Sequence, residues 1–196
     1  MVIGGISEEF RDYKVTGLEG LEGLINQANL SEEYSQIFKV IEVWKKKIRK
    51  GDDVMNLYFF GANGSGKTSL ATNIMLEFPK IKSIRTTAIK IQQDFFENWR
   101  IPKVGLFKGL LVIDEFGKEY KTKAEHSESI MEYILKYRAE RKFLTIIISN
   151  ADITFIKQRY GNTIDSILRG TYIPLKFPEI DFRLITAENK MKNYIK

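Results

Sequence analysis

Asn56-Leu-Tyr-Phe-Phe-Gly-Ala-Asn-Gly-Ser-Gly-Lys-Thr68 is the stretch that decides how the rest of the chain is read. The four residues after Asn56 are apolar or aromatic, bounded by Gly51-Asp-Asp ahead and Gly61 behind, as in a short buried strand. Gly61, Ala62, Asn63, Gly64, Ser65, Gly66, Lys67 and Thr68 then match the pattern G-x-x-x-x-G-K-[ST], which holds phosphates. The chemistry explains the spacing. Glycines let the backbone turn several N–H groups toward one concave point, and the positive end of the following helix adds to them. A lysine at position 67 reaches the β- and γ-phosphates of a nucleotide, and the hydroxyl of Thr68 sits where it can hold Mg2+. A glycine turn that merely joins strand to helix needs neither the Lys-Thr pair nor the apolar strand before it.

Working outward, the loop leads into a helix from about Lys67 to Phe78, closed by Pro79. Upstream, Tyr34, Ile37, Ile41, Trp44 and Ile48 recur at three- and four-residue spacing, one face of a helix packed on a core. Ser31 is placed to cap it, Glu32 and Glu33 suit its positive end, and Lys45, Lys46, Lys47 and Arg49 crowd the other end before Gly51. Downstream, strands are expected at Ser83–Thr87, Leu110–Ile113, Phe143–Ile148 and Thr171–Phe177. Helices are expected at Ile89–Trp99 and Ser127–Arg141, with shorter ones at Ile153–Tyr160 and Thr163–Leu168. Strands alternating with helices predict an α/β fold with a parallel sheet covered on both faces. Residues 1–30, with Gly4, Gly5, Gly17, Gly20 and Gly23, read as a poorly periodic lead-in that could bind a partner; residues 31–196 read as the core.

Two further strand ends carry chemistry. Leu110-Leu-Val-Ile-Asp-Glu115 lies about 45 residues beyond the loop and ends in carboxylates, where Mg2+ beside a phosphate loop needs them. Asp114 is expected at the metal, through water, and Glu115 is the candidate general base for an attacking water. Thr145-Ile-Ile-Ile-Ser-Asn150 is a third apolar strand ending in small polar residues, where the Asn150 amide could orient that water or contact the γ-phosphate. The plainer alternative is that Asn150 caps the helix that follows.

Segment 37–185 resembles the AAA+ ATPases of the DnaC/DnaI helicase-loader family and their relatives, the IstB-type transposition helpers. The residues that carry the resemblance are the 56–68 block, Leu110-Leu-Val-Ile-Asp-Glu-Phe-Gly117 and Tyr137-Arg-Ala-Glu-Arg-Lys-Phe-Leu-Thr-Ile-Ile-Ile-Ser-Asn150. Tyr160-Gly-Asn-Thr-Ile-Asp-Ser-Ile-Leu-Arg169 and Asp181-Phe-Arg183 also follow the loader pattern. The resemblance implies a P-loop NTPase of AAA+ type: five parallel strands between helices, ATP and Mg2+ as ligands, and a homo-oligomer with ATP between subunits. It also implies single-stranded DNA and a replicative helicase as partners, and an arginine supplied by the neighbouring subunit. In the family that arginine falls where this chain has Ile167, in Ser166-Ile-Leu168; Arg169 is the candidate here, with Arg138 and Arg141 as alternatives for an interface or phosphate role. The residues after Asn150 are too few for a full helical lid beside the last strand, so little or no lid is expected.

Charge and composition narrow the function. The net charge is +6, and residues 1–30 hold five acids against two bases, so the remainder is about +9, suited to nucleic acid or an acidic partner. Arg100, Lys103 and Lys108 precede the Asp-Glu pair, and Lys118, Lys121 and Lys123 follow it. Phe95, Phe96 and Trp99 could stack bases, but their spacing fits a helix packed on the sheet. His126 reads as a helix-start residue. The absence of cysteine excludes disulfides and thiolate zinc sites. No apolar run is long enough to cross a bilayer and Met1 to Phe10 has no secretory pattern, so a cytoplasmic location is expected. The leading expectation is a DNA-replication ATPase acting as a helicase-loader-like factor on single-stranded DNA. An ATP-dependent helper of a transposase or recombinase shares the same core. A P-loop phosphotransferase is a third class, disfavoured by the Asp-Glu pair, and a nucleotide-gated switch with negligible turnover is a fourth.

Overall fold

Side chains alternate across each strand, and over residues 57–60, 110–113 and 146–148 both alternating sets are apolar or aromatic, so these strands need cover on two faces. The computed structural model, which describes residues 18–119 and 126–194, meets that need with helices on both sides of one sheet. The strands are β1 (Asn56–Gly61), β2 (Ser83–Thr87), β3 (Leu110–Asp114), β4 (Thr145–Ser149) and β5 (Tyr172–Phe177). All pairings are parallel, in the order β2-β3-β4-β1-β5. The helices are α1 (Leu18–Gln27), α2 (Ser31–Lys50), α3 (Lys67–Glu77), α4 (Ala88–Asn98), α5 (His126–Glu140), α6 (Ile153–Thr171) and α7 (Phe182–Tyr194).

One core holds Leu57, Phe59, Val112 and Ile148 from the sheet against Ile37, Ile41 and Trp44 of α2 and Leu70 and Ile74 of α3. The opposite core holds Tyr58, Leu111, Ile113 and Ile147 against Ile91 of α4, Ile130 and Ile134 of α5, and Ile156 and Ile164 of α6. Each fully buried side chain of this kind contributes about 1.5–3 kcal/mol, so the sheet is fixed in register by both sets at once. Asp114 pairs with Thr87, and Phe60 with Ser149, which brings the carboxyl ends of β1, β3 and β4 to one edge.

The expected strands and helices appear within two residues at their ends, except that α6 runs three residues past Leu168 to Thr171, and it keeps the expected break as a kink at Gly161. Three readings are corrected. Ser31 is the first residue of α2 and not its cap; its hydroxyl donates to Asn26 Oδ1 at 2.8 Å, and no side chain caps Leu30. Residues 18–27 form a helix whose Leu21 and Ile25 are buried in the first core, although its glycines hide the periodicity. A helix, α7, follows β5 where none was expected.

Candidate nucleotide site

The glycine loop crosses from β1 to α3 at the carboxyl edge of the sheet, beside the ends of β3 and β4. Tyr34, wholly buried on α2, supports the loop from below by donating to the Ser65 carbonyl at 2.6 Å. Ser65 Oγ donates to the Ala62 carbonyl at 2.8 Å. Gly64 stands at φ +73°, where glycine is favoured, and a Cβ there would lie 1.8 Å from Asp181 Oδ1 and displace that side chain. The Phe182 N–H donates to the Gly64 carbonyl at 3.0 Å, so the chain after β5 is pinned onto the loop.

The side chains singled out by the motifs converge. Lys67 is 5% exposed and its Nζ donates to the carbonyls of Gly61 (2.9 Å) and Ala62 (2.5 Å). Burial pulls its ammonium down to about 8, opposed by attraction to Asp114 and reinforced by Lys118 and Arg183. Thr68 Oγ1 donates to Asp114 Oδ2 at 2.9 Å, and the Glu115 N–H donates to Asp114 Oδ1 at 2.8 Å. Burial pushes the Asp114 carboxyl upward, while those two hydrogen bonds and the charge of Arg85 pull it down. Thr68 and Asp114 therefore present adjacent hard oxygens at one point, the donor set that suits Mg2+. Glu115 stands at the rim with φ +56°, its carboxylate 3.1 Å from Lys118 Nζ.

These residues line a cleft of about 700 Å3, within the range that encloses a nucleotide. Asn150 lines it too, and does not cap α6: Asp152 does, accepting from the Phe155 N–H at 2.9 Å. The cleft also takes in residues not anticipated as site residues: Leu21 and Leu24 of α1, Arg85 of β2, and Arg183, Thr186 and Lys190 of α7. Of these only Arg183 belongs to a sequence pattern, Asp181-Phe-Arg183, which by itself assigns it no role. Arg183 forks onto Asp181 through two 2.8 Å hydrogen bonds, which raise its own pKa and lower that of Asp181.

Other expected residues lie elsewhere. Arg169 is outside the cleft on α6, 57% exposed and 2.8 Å from Asp165; Ile167 is half-buried against the second core. Arg138 is corrected outright. It is wholly buried, and its guanidinium donates to the carbonyls of Phe107 (2.7 Å), Gly109 (2.9 Å) and Leu144 (2.7 Å) and to Thr145 Oγ1 (2.9 Å), which leaves nothing for an interface or a phosphate. Arg141 stacks on Tyr137, its guanidinium 3.8 Å from the ring centre. Of the aromatic trio expected in the core, Phe95 packs partly against it, but Trp99 is 68% exposed at the end of α4. Arg100 and Lys103 are exposed on the following loop; Lys121 and Lys123 lie outside the described residues. His126 does begin α5.

A parallel five-stranded sheet in this order, with the glycine loop after β1 and an acidic end to β3, is the AAA+ type of P-loop NTPase fold. Solved structures with this fold include those of helicase loaders. DnaI is similar over 74% of this chain and 83% of its own, at 19% identity and a TM-score of 0.61. The DnaC helicase loader is similar over 64% of this chain and 80% of its own, at 22% identity and a TM-score of 0.54. The replication initiator DnaA bound to AMPPCP and single-stranded DNA matches over 94% of this chain and 56% of its own, at 18% identity and a TM-score of 0.64. No protein-family model and no curated protein sequence matches the chain. Among the described residues no helix is long and apolar enough to cross a membrane.

Proposed function

We propose that this chain is a Mg2+-dependent ATPase that works, as an assembly of copies, in DNA replication as a helicase-loader-like factor on single-stranded DNA. The observation that carries the reading is the meeting of Thr68 Oγ1 and Asp114 Oδ2 at 2.9 Å beside Lys67, with Glu115 next along the chain. Loop N–H groups and the amino end of α3 bind the β- and γ-phosphates, and the Lys67 ammonium balances their charge. Thr68 and Asp114 would hold Mg2+, which would supply charge neutralisation of the phosphate oxygens. Glu115 accepts a proton from the attacking water, and Asn150 orients that water. Leu24 of α1 and Thr186 of α7, which both line the cleft, take the base end of the nucleotide.

Arg169 of a second copy completes the site. Its exposure at 57% leaves the guanidinium open to a neighbour even while it pairs with Asp165. The DnaI and DnaC resemblances favour helicase loading, and the DnaA complex with single-stranded DNA favours that ligand.

Steady-state ATP hydrolysis, with and without single-stranded DNA and across protein concentrations, tests the reading. The rate should rise with DNA and more than linearly with protein. Glu115→Gln should keep ATP bound and lower turnover at least a hundredfold, the scale of a lost general base; unchanged hydrolysis removes Glu115 from the mechanism. A low rate indifferent to DNA and protein concentration would leave a nucleotide switch, or a phosphotransferase lacking its substrate.

A further inference from the structure

Glu119 is a carboxylate that the proposed chemistry does not use, yet it is 2% exposed. Burying such a group is unfavourable unless its partners are well placed, and they are. Its Oε2 accepts from the Gly117 N–H at 3.1 Å and from the Tyr160 hydroxyl, and lies 3.6 Å from the Arg159 guanidinium. Arg159 also donates to the Glu119 carbonyl. Tyr160 stacks on Phe116, ring centres 4.9 Å apart and planes 18° from parallel. Both arginine and tyrosine stand on α6, whereas Gly117 and Phe116 belong to the turn that starts at Glu115.

That turn is fixed at its other end as well. The Phe116 N–H donates to the Ile148 carbonyl at 2.9 Å, Ser149 Oγ donates to the Phe116 carbonyl at 2.7 Å, and the Lys118 N–H closes the turn on the Glu115 carbonyl at 3.0 Å. Glu115 itself sits at φ +56°, unusual for a residue with a side chain, so its aim depends on the turn being held. Immediately after Tyr160 comes Gly161 at φ +80° and ψ −170°, a conformation open essentially to glycine alone. The chain thus kinks at the point where the Glu119 contacts end, and Arg169 lies on the far side of the kink. Glu119 Oε1 and Arg159 Nε have no partner among the described residues, so this junction holds donor and acceptor capacity for a second pairing of the turn with α6.

We propose that Glu119 is a positioning residue that locks the turn bearing Glu115 to the first half of α6, through Gly117 on one side and Tyr160 and Arg159 on the other, and so links nucleotide state to the Gly161 kink. The inference rests on Glu115 as the base for its kinetic part only. In Tyr160→Phe the ring stack on Phe116 stays and only the hydroxyl donor goes, so the fold is kept. It should lower kcat about tenfold with the affinity for ATP changed less than twofold. Glu119→Ala should lower kcat about a hundredfold, the scale of a misaimed catalytic group, and Glu119→Gln, which keeps an acceptor for Gly117, should recover part of that loss. Amide hydrogen exchange with a non-hydrolysable ATP analogue and Mg2+ gives a readout independent of turnover. In the wild-type protein both 115–119 and 153–160 should gain protection; in Tyr160→Phe only 115–119 should. A wild-type protein that hydrolyses no ATP defeats the ATPase reading and leaves the exchange experiment to decide the linkage. Wild-type exchange at 153–160 indifferent to the analogue, or unaltered kcat in both Tyr160→Phe and Glu119→Ala, overturns the proposal.

Discussion

Nucleotide binding should be linked to proton uptake by Lys67, with a sign and size set by the burial of that side chain. Without nucleotide, burial holds the ammonium at about 8, well below its ordinary 10.5. A triphosphate beside Nζ stabilises the charged form and drives the pKa back up. Binding above pH 8 must therefore add a proton: almost none at pH 7, about half at pH 8 and about nine-tenths at pH 9. Apparent affinity is flat below pH 7 and weakens about tenfold between pH 7 and pH 9, or about 1.4 kcal/mol. Calorimetry of a non-hydrolysable ATP analogue with Mg2+, in buffers of differing ionisation enthalpy, measures the uptake directly, because the Mg2+-bound triphosphate carries no proton in this window. Lys67→Arg keeps its charge at every pH tested, so its weaker binding should show no uptake at all. Affinity and proton count both unchanged from pH 7 to pH 9 in the wild-type protein would refute the reasoning, since Lys67 would then be either fully charged throughout or out of reach of the phosphates.

Two other substitutions separate structural from functional arginines. Arg138→Met leaves the carbonyls of Phe107 and Gly109 and the Thr145 hydroxyl without their donor, at about 1–2 kcal/mol each, while the Leu144 carbonyl keeps the Leu111 N–H. A loss of about 3–5 kcal/mol, or about 10 °C in thermal midpoint, is expected in urea and heat unfolding; a change below about 1 kcal/mol would return Arg138 to the interface candidates. Arg169→Ala should bind ATP normally and turn over slowly, and mixing it with Lys67→Ala should restore activity, because one copy offers an intact loop and the other an intact arginine. No recovery at saturating protein concentration excludes Arg169 from a trans role.

The contrast between these arginines explains what the sequence could and could not disclose. Strands β1, β3 and β4 were legible because a strand covered on both faces must be apolar throughout, and the loop between β1 and α3 because phosphate binding demands particular residues at fixed spacing. Legibility ends where a residue's role is set by a distant contact. Arg138 reads as a candidate for an interface or phosphate role, and only the return of residues 105–109 and 144–145 supplies the acceptors that bury it. The helix at 18–27 is short, its side chains of Leu21 and Ile25 are one turn apart, and Gly20 and Gly23 weaken its propensity; burial against α3 stabilises it where local preference does not. Likewise Arg183 gains meaning from the 3.0 Å bond between the Phe182 N–H and the Gly64 carbonyl, a contact across more than a hundred residues. The glycine-loop end of the cleft is thus written in contiguous motifs, while its other end, between α1 and α7, is assembled from both ends of the described chain. A nucleotide filling the cleft would touch both helices at once, and the reciprocal amide pair between Gln27 and Asn189 (3.2 and 3.0 Å) already joins them without it.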